Sequence, residues 1–210
     1  MTNLIVIGAS TPTIIRLIND INKNKEDQIK ILGFVDSDLK KKSKDFFGYE
    51  ILGNFEEVMK FNKDNVYLIN TIASSTLTRK EVTNYFIDKG FRFINIIHPN
   101  INLGNVTIGI GNLIYENALI QPFVKIGNHC VISSNSGIAH ETSIGDFVFI
   151  GPSSYICGKV KIKDEVYIGT GAKILPRLSI GSKTIIGACS LVNKNITSNK
   201  KIIGIPKRLK

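Results

Sequence analysis

Three residues carry the chemistry that stands out in this chain: His140, Glu141 beside it, and Gly158 eighteen positions further on. Histidine is the residue type that takes and returns a proton near neutral pH, and an adjacent carboxylate can orient its ring. A glycine N–H, with no side chain in the way, can point at a developing oxyanion. A general base next to an oxyanion donor is the arrangement that acyl transfer requires. Eighteen residues separate the two groups, so they meet only if the chain returns to the same place every eighteen residues.

The sequence has that period. Isoleucine stands at 108, 114, 120, 126, 132, 138, 144, 150, 156, 162, 168, 174, 180 and 186, and Val192 continues the series. Neither an α-helix nor an alternating strand produces a strict period of six. Four residues after each isoleucine the side chain is usually small or β-branched, as at Val124, Cys130, Ser136, Thr142, Val148 and Val160. Glycine often follows the isoleucine directly, as at Gly109, Gly127, Gly145, Gly151, Gly169, Gly181 and Gly187, which reads as a corner needing φ freedom. Three six-residue sides close a coil of eighteen, giving a hexapeptide-repeat parallel β-helix of about five coils over residues 102–197. In that register His140 and Gly158 are the i+2 residues of the hexads at Ile138 and Ile156, one strand spacing (~4.8 Å) apart. The tail, with Gly204-Ile205-Pro206 and basic Lys207-Arg208-Leu209-Lys210, leaves the hexad phase and is expected to cap the last coil.

The remaining reactive side chains read as structural. His129 has no acid beside it and is expected at the surface, and His98 before Pro99 is a linker residue. No histidine or cysteine spacing indicates a metal site. Cys130, Cys157 and Cys189 all fall inside the repeat, as buried or corner thiols in a reducing compartment. The formal net charge of +10 suits acidic ligands such as phosphates. The lysines are dispersed and no aromatic platform accompanies them, which argues against nucleic acid, and composition bias accounts for the charge equally well. The apolar start, Leu4 to Ile7, is too short for a signal peptide or membrane span, so a soluble cytoplasmic protein is expected.

Residues 1–98 alternate strand and helix, and residues 99–210 form the repeat domain. Leu4–Ile7 is a buried strand leading into Gly8-Ala9-Ser10-Thr11-Pro12, where Ser10 or Thr11 caps a helix with Pro12 in its first turn. Ile29–Val35 is a strand that delivers Asp36 at its carboxyl end. Lys40–Lys44 is a charged loop, Asn54 caps a helix through Phe61, and Val66–Asn70 is a third strand. Thr76–Lys89 is an amphipathic helix stopped by Gly90, and Phe91–Ile97 is another strand. This alternation gives a small Rossmann-like parallel sheet with a ligand crevice at the strands' carboxyl ends. The first loop has one glycine and not three, which argues against a dinucleotide, although a helix amino terminus can hold a phosphate. Gly8, Ser10 and Asp36 are the candidate ligand residues there; a plain turn and a solvated carboxylate fit the same residues.

The repeat resembles the hexapeptide-repeat acyltransferases, whose β-helices are left-handed. The whole chain resembles the bacterial two-domain sugar acetyltransferases, the UDP-4-amino-sugar and sialic acid O-acetyltransferase group. The matching pieces are Leu4-Ile5-Val6-Ile7-Gly8, Gly33-Phe34-Val35-Asp36, Ile97-His98-Pro99, Ala139-His140-Glu141, Ile156-Cys157-Gly158-Lys159-Val160 and Gly204-Ile205-Pro206-Lys207. The resemblance implies that His140 is the general base, that Glu141 supports it and that the Gly158 N–H binds the oxyanion. It implies acetyl-CoA in a groove between subunits of a homotrimer, with Gly158, Ala172, Gly187 and Lys207 as contacts. It also implies a nucleotide-sugar acceptor on the N-terminal domain, at Gly8, Ser10 and Asp36. Two positions depart from the family pattern. Thr11-Pro12-Thr13 stands where a glycine–histidine–glycine is common, and Phe149 stands where a second histidine follows the base by nine residues. The expected activity is acetyl transfer from acetyl-CoA to an amine or hydroxyl of a sugar destined for a surface glycan. O-acetylation of a free or polymerised sugar, or a non-catalytic β-helix that binds or scaffolds, are the alternatives.

Overall fold

The computed structural model describes residues 1–23 and 28–204, with no side-chain description at Leu39. The chain divides into two compact units, Met1–Pro99 and Asn100–Lys210.

In the first unit, β1 (Thr2–Ile7), β2 (Ile29–Val35), β3 (Asp45–Phe46), β4 (Tyr49–Gly53), β5 (Tyr67–Asn70) and β6 (Arg92–Phe93) form one sheet in the order β3-β4-β2-β1-β5-β6. All pairings are parallel except β3–β4. β1 is central and Leu4, Ile5, Val6 and Ile7 are fully buried, as expected of a strand covered on both faces. The hairpin β3–β4 lies in the stretch read as a charged loop and its sequel. Its two-residue arm and Gly48 turn at φ +87 leave too short an alternation to recognise in sequence. The segment 91–97 breaks into β6 and a separate two-residue strand, Ile96–Ile97.

Helix α1 (Thr13–Asn22) starts later than expected. Pro12 is its N-cap and no side chain caps it; Thr11 and Thr13 hydroxyls bond each other instead, at 2.5 Å. Asn54 caps as expected, accepting from Glu56 N–H, but the element it opens is a 3₁₀ helix, Phe55–Lys60. Helix α2 (Thr76–Asp88) is capped by Ser75. It buries Arg79, Thr83 and Phe86, and Leu77 stays exposed, so its inner face is partly polar. Asn70 at the end of β5 reaches into that face, donating to Arg79 O and Thr83 Oγ1. His98 is more than a linker residue, since its Nε2 lies 3.4 Å from Asp20 Oδ2 on α1.

In the second unit each hexad contributes a two-residue strand ending on its isoleucine. These strands stack in three parallel walls. One wall runs 107↔125↔143↔161↔179, the next 113↔131↔149↔167↔185, and the third 119↔137↔155↔173↔191. Every step is eighteen residues, so the walls close a three-sided parallel β-helix. Ile138, Ile156, Ile174, Ile150, Ile168 and Ile186 are all fully buried, and so are the i+4 residues Val124, Thr142, Val148 and Val160. Among the described residues no helix is long and apolar enough to cross a membrane.

The corners work differently from the reading of the glycines. The left-handed residue is the i+3 position, and it is seldom glycine: Asn117, His129, Asn135, Glu141, Phe147, Lys159, Arg177 and Lys183 all have φ between 55° and 63°. Left-handed backbone costs a non-glycine residue ~1–2 kcal/mol. That cost is offset by a bond from its N–H to the coil below, as in Phe147 N–H to Asn128 O (2.8 Å) and Lys159 N–H to His140 O (3.0 Å). The i+1 glycines have no positive φ. They are glycine because coils approach too closely for a Cβ: one built on Gly127 would meet Asp146 Oδ1 at 2.3 Å, and one on Gly145 would meet Asp164 Oδ1 at 2.3 Å. Those carboxylates in turn accept the N–H of the i+2 residue below, Asp146 from Asn128 (2.7 Å) and Asp164 from Asp146 (2.9 Å).

The described tail does not simply cap. Ile196 bridges Ile180, and Lys201–Ile202 pairs with Ile185–Ile186, an offset of sixteen residues. The coil therefore continues with one turn two residues short, which is why the hexad phase is lost while the stacking is not. Lys207 and the other residues after Gly204 lie outside the described residues.

Two expectations follow. Ile156→Ala and Ile186→Ala should each lose ~2–5 kcal/mol of stability, while Leu119→Ala, at a half-exposed outward position, should lose far less. Gly127→Ala should destabilise by ~1–3 kcal/mol through the Asp146 clash, whereas Lys183→Gly, at a left-handed corner, should be tolerated. Thermal melts of the variants check both; the reverse order for the last two would return the φ requirement to the glycines.

Candidate functional site

The stack brings His140 and Gly158 together. Ile138 pairs with Ile156, Ala139 N–H bonds Ile156 O at 2.8 Å, and Lys159 N–H bonds His140 O, which fixes Gly158 one level above the imidazole. A Cβ on Gly158 would lie 2.7 Å from His140 Nε2 and 2.9 Å from its Cε1. The ring thus occupies the space that any side chain at 158 would take. Gly158 N–H has no acceptor among the described residues. At four equivalent positions the N–H is used: Ile110, Asn128 and Asp146 donate to Asx side chains, and His140 N–H donates to Gln121 Oε1 at 3.0 Å. At Asp164, Thr170 and Ala188, as at Gly158, it has no acceptor among the described residues, and of these only Gly158 has an imidazole beside it. An unclaimed N–H beside an imidazole is what an oxyanion site consists of.

Glu141 sets the ring's protonation pattern. Its Oε1 lies 3.0 Å from His140 Nδ1 and 3.6 Å from Lys159 Nζ. The hydrogen bond to His140, joined by Lys159, holds the carboxyl below its usual range against a desolvation push upward. An ionised carboxylate only accepts, so Nδ1 must carry the proton and the Nε2 lone pair of the neutral ring faces Gly158. All three side chains are about half exposed, and open to a substrate.

Lys159 and Gln121 belong to this constellation and were missed in the sequence. The signal was there: Lys159 is Glu141 plus one coil, and Gln121 is one coil below Ala139. The other expected cofactor contacts are not gathered with them in the chain. Ala172 has no exposed surface; it is an inward i+4 residue whose side chain packs the core and whose carbonyl accepts Tyr155 N–H. Gly187 follows a strand of a different wall and is bonded to Ile202 O of the last turn. Lys207 lies outside the described residues. His129 is not at the surface: it is buried and stacks on Phe147 at 5.0 Å, because the i+2/i+3 edge there is covered by the next coil. Phe149 stacks on Tyr167 at 4.6 Å, so the position is filled by an aromatic pair and holds no second histidine. Cys130 is buried, Cys157 half-buried and Cys189 exposed. Among the described residues no cluster of three or more His, Cys, Asp or Glu could hold a metal ion.

The N-terminal unit has a cavity of about 430 Å³ at the carboxyl ends of β1, β2 and β5, lined by Gly8, Ser10, Thr11, Asp36, Lys41, Phe55, Ile72 and Thr78, among others. All three residues expected there are present. Asp36 does not merely face water: it is almost fully buried, with Ala9 N–H (2.9 Å) and Lys41 Nζ (2.8 Å) on Oδ2 and Asp38 N–H (3.0 Å) on Oδ1. Burial acts to raise its pKa, but Lys41 and the two N–H donors outweigh it and hold the carboxyl below its usual range.

The bacterial transferase hexapeptide (six repeats) family profile matches residues 141–176, a span that begins at Glu141 and contains Gly158. No curated protein matches the chain by sequence. Solved structures match almost all of it. A histidine-to-alanine variant of GDP-perosamine N-acetyl transferase from Caulobacter crescentus, in complex with CoA and GDP-perosamine, is 22% identical, with a TM-score of 0.86 over 97% of this chain and 94% of that one. The acetyltransferase domain of PglB from Neisseria gonorrhoeae, in complex with acetyl coenzyme A, is 20% identical with a TM-score of 0.83 over 95% and 94%. WeeI from Acinetobacter baumannii is 24% identical with a TM-score of 0.84 over 97% of both chains. At these identities the likeness is one of fold, and the repeat and parallel walls match the left-handed β-helix.

Gly158→Ala tests the site geometry without replacing a titratable group. Its methyl must displace the His140 ring, so any catalysed reaction should fall by ~10²-fold or more, with the melting temperature nearly unchanged. Retained turnover would mean that the ring and the N–H do not act together.

Proposed function

We propose that this protein is an acetyl-CoA-dependent acetyltransferase acting on an amino sugar carried by a nucleotide, in bacterial surface glycan biosynthesis. The observation that carries the reading is the His140 Nε2 lone pair, oriented by Glu141, against an unclaimed Gly158 N–H. The fold-level matches to acetyltransferases in complex with CoA or acetyl coenzyme A support it, and GDP-perosamine in one of them favours an amine acceptor on a nucleotide sugar.

In the reaction, His140 Nε2 removes a proton from the acceptor amine as its nitrogen attacks the thioester carbonyl of acetyl-CoA. The electron pair of the C=O bond moves to oxygen, and Gly158 N–H holds that oxyanion. Collapse re-forms the carbonyl, breaks the C–S bond and releases the CoA thiolate, which takes the proton back from the imidazolium. Glu141 keeps Nδ1 protonated throughout and stabilises the positive ring.

The second unit is the acyltransferase domain and the first, read as a Rossmann-like domain, binds the acceptor around Gly8, Ser10 and Asp36. His140, Glu141 and Lys159 are half exposed in one chain, so the cleft takes its other wall from a neighbouring copy in a homotrimer of this cytoplasmic enzyme.

His140→Ala should lower kcat by ~10²–10⁴ with the fold intact, followed as thiol release from acetyl-CoA with a panel of nucleotide-linked amino sugars. A loss below threefold would assign proton removal elsewhere. Glu141→Gln should act in the same direction with smaller effect. Light scattering should give three times the chain mass; a fully active monomer would contradict the shared cleft.

A further inference from the structure

The Asp36–Lys41 pair has a feature that neither residue's packing explains. Lys41 sits in the 3₁₀ turn Leu39–Lys41, six residues after β2 begins its exit from the sheet, and folds back over the cavity. Its Nζ meets Asp36 Oδ2 at 2.8 Å and Ala9 O at 3.3 Å, and a third of the side chain remains exposed. The neighbouring Lys42 turns the other way, to Glu57 at 2.9 Å. Asp36 would keep Ala9 N–H and Asp38 N–H without Lys41, so its carboxylate does not need the ammonium to stay bonded. A carboxylate has about four lone-pair sites, and here two of them hold the backbone while the lysine occupies a third, at the cavity.

Resting on the nucleotide-sugar reading above, we propose that Lys41 is the group that selects a diphosphate-linked acceptor. In the free protein it is parked on Asp36. A ligand carrying both a vicinal diol and a diphosphate exchanges the pair: a ribose hydroxyl donates to Asp36 and the ammonium moves to a phosphate oxygen. A ligand with only one of the two groups leaves one charge of the pair without its partner, facing a cavity. Free and polymer-linked sugars offer hydroxyls but no diphosphate, so they would leave the ammonium without a partner and are rejected. This makes the discrimination a property of one ion pair and independent of the base.

The test is calorimetric binding of GDP, UDP, guanosine and uridine to the intact protein and to Lys41→Met, Lys41→Arg and Lys42→Met. The wild type should bind each diphosphate at least ~10-fold more tightly than its nucleoside, in the range a charge-assisted phosphate contact provides. Lys41→Met should lose ~10-fold or more for the diphosphates, while the nucleosides, which no longer strip an ammonium of its partner, should bind at least as tightly as to the wild type. Lys41→Arg should keep most of the preference, and Lys42→Met all of it. Equal binding of diphosphate and nucleoside by the wild type, or equal losses for both in Lys41→Met, would overturn the assignment. Turnover separates this from the function: acetyl transfer without diphosphate preference overturns the role of Lys41 alone, and preference without transfer to any diphosphate-linked amino sugar overturns the acetyltransferase reading alone.

Discussion

The stacking of one coil on the next, eighteen residues at a time, is the constraint on which the rest of the second unit depends. Each inward isoleucine contacts the isoleucines one coil away on either side, and the backbone N–H groups of one level bond the carbonyls of the next. Burial of these side chains makes any slip of register expensive, because a shift of one residue would turn the isoleucines outward. The site is built on that rigidity. His140 and Gly158 are not neighbours through a loop or a flexible lid; they are successive rungs of one ladder, tied by the bond from Lys159 N–H to His140 O.

The same close approach accounts for the distribution of glycine. At Gly109, Gly127, Gly145, Gly151, Gly169 and Gly181 the next level's Asx carboxyl or amide oxygen, or its backbone, leaves no room for a methyl group. At Gly158 the space is taken by an imidazole, so a general packing rule of the coil is there turned to chemistry. The left-handed corners are carried by ordinary residues, held by bonds to the coil below. Glu141 is one of these, with φ +58, and that corner conformation swings its carboxylate back onto the ring of the preceding residue.

What the sequence made legible was whatever depends on period. The hexads placed every wall and every inward side chain of the coil up to Val192, and coil arithmetic found the His140–Gly158 pair. The same arithmetic reaches Lys159 and Gln121, which are residues one coil from members of the site. Less legible were features set by local geometry: the short β3–β4 hairpin, the 3₁₀ helix after Asn54, and the two-residue contraction after Val192 that keeps the tail stacked. The burial of His129 against Phe147 depends on how the next coil covers that corner. In the N-terminal unit the sequence pointed to Gly8, Ser10 and Asp36, but nothing in a run of lysines distinguishes Lys41, which folds onto Asp36, from Lys42, which does not.

The central claim is that Gly158 N–H receives the charge that develops when His140 removes the acceptor's proton. Its most direct test is the amide resonance of Gly158 in protein labelled with ¹⁵N-glycine, recorded with and without a CoA-linked analogue of the tetrahedral adduct. The account predicts a large downfield shift of that amide proton, abolished in His140→Ala, with Gly127 and Gly145 unmoved. An unshifted Gly158 amide in a saturated complex, or a larger shift at another glycine, would contradict it.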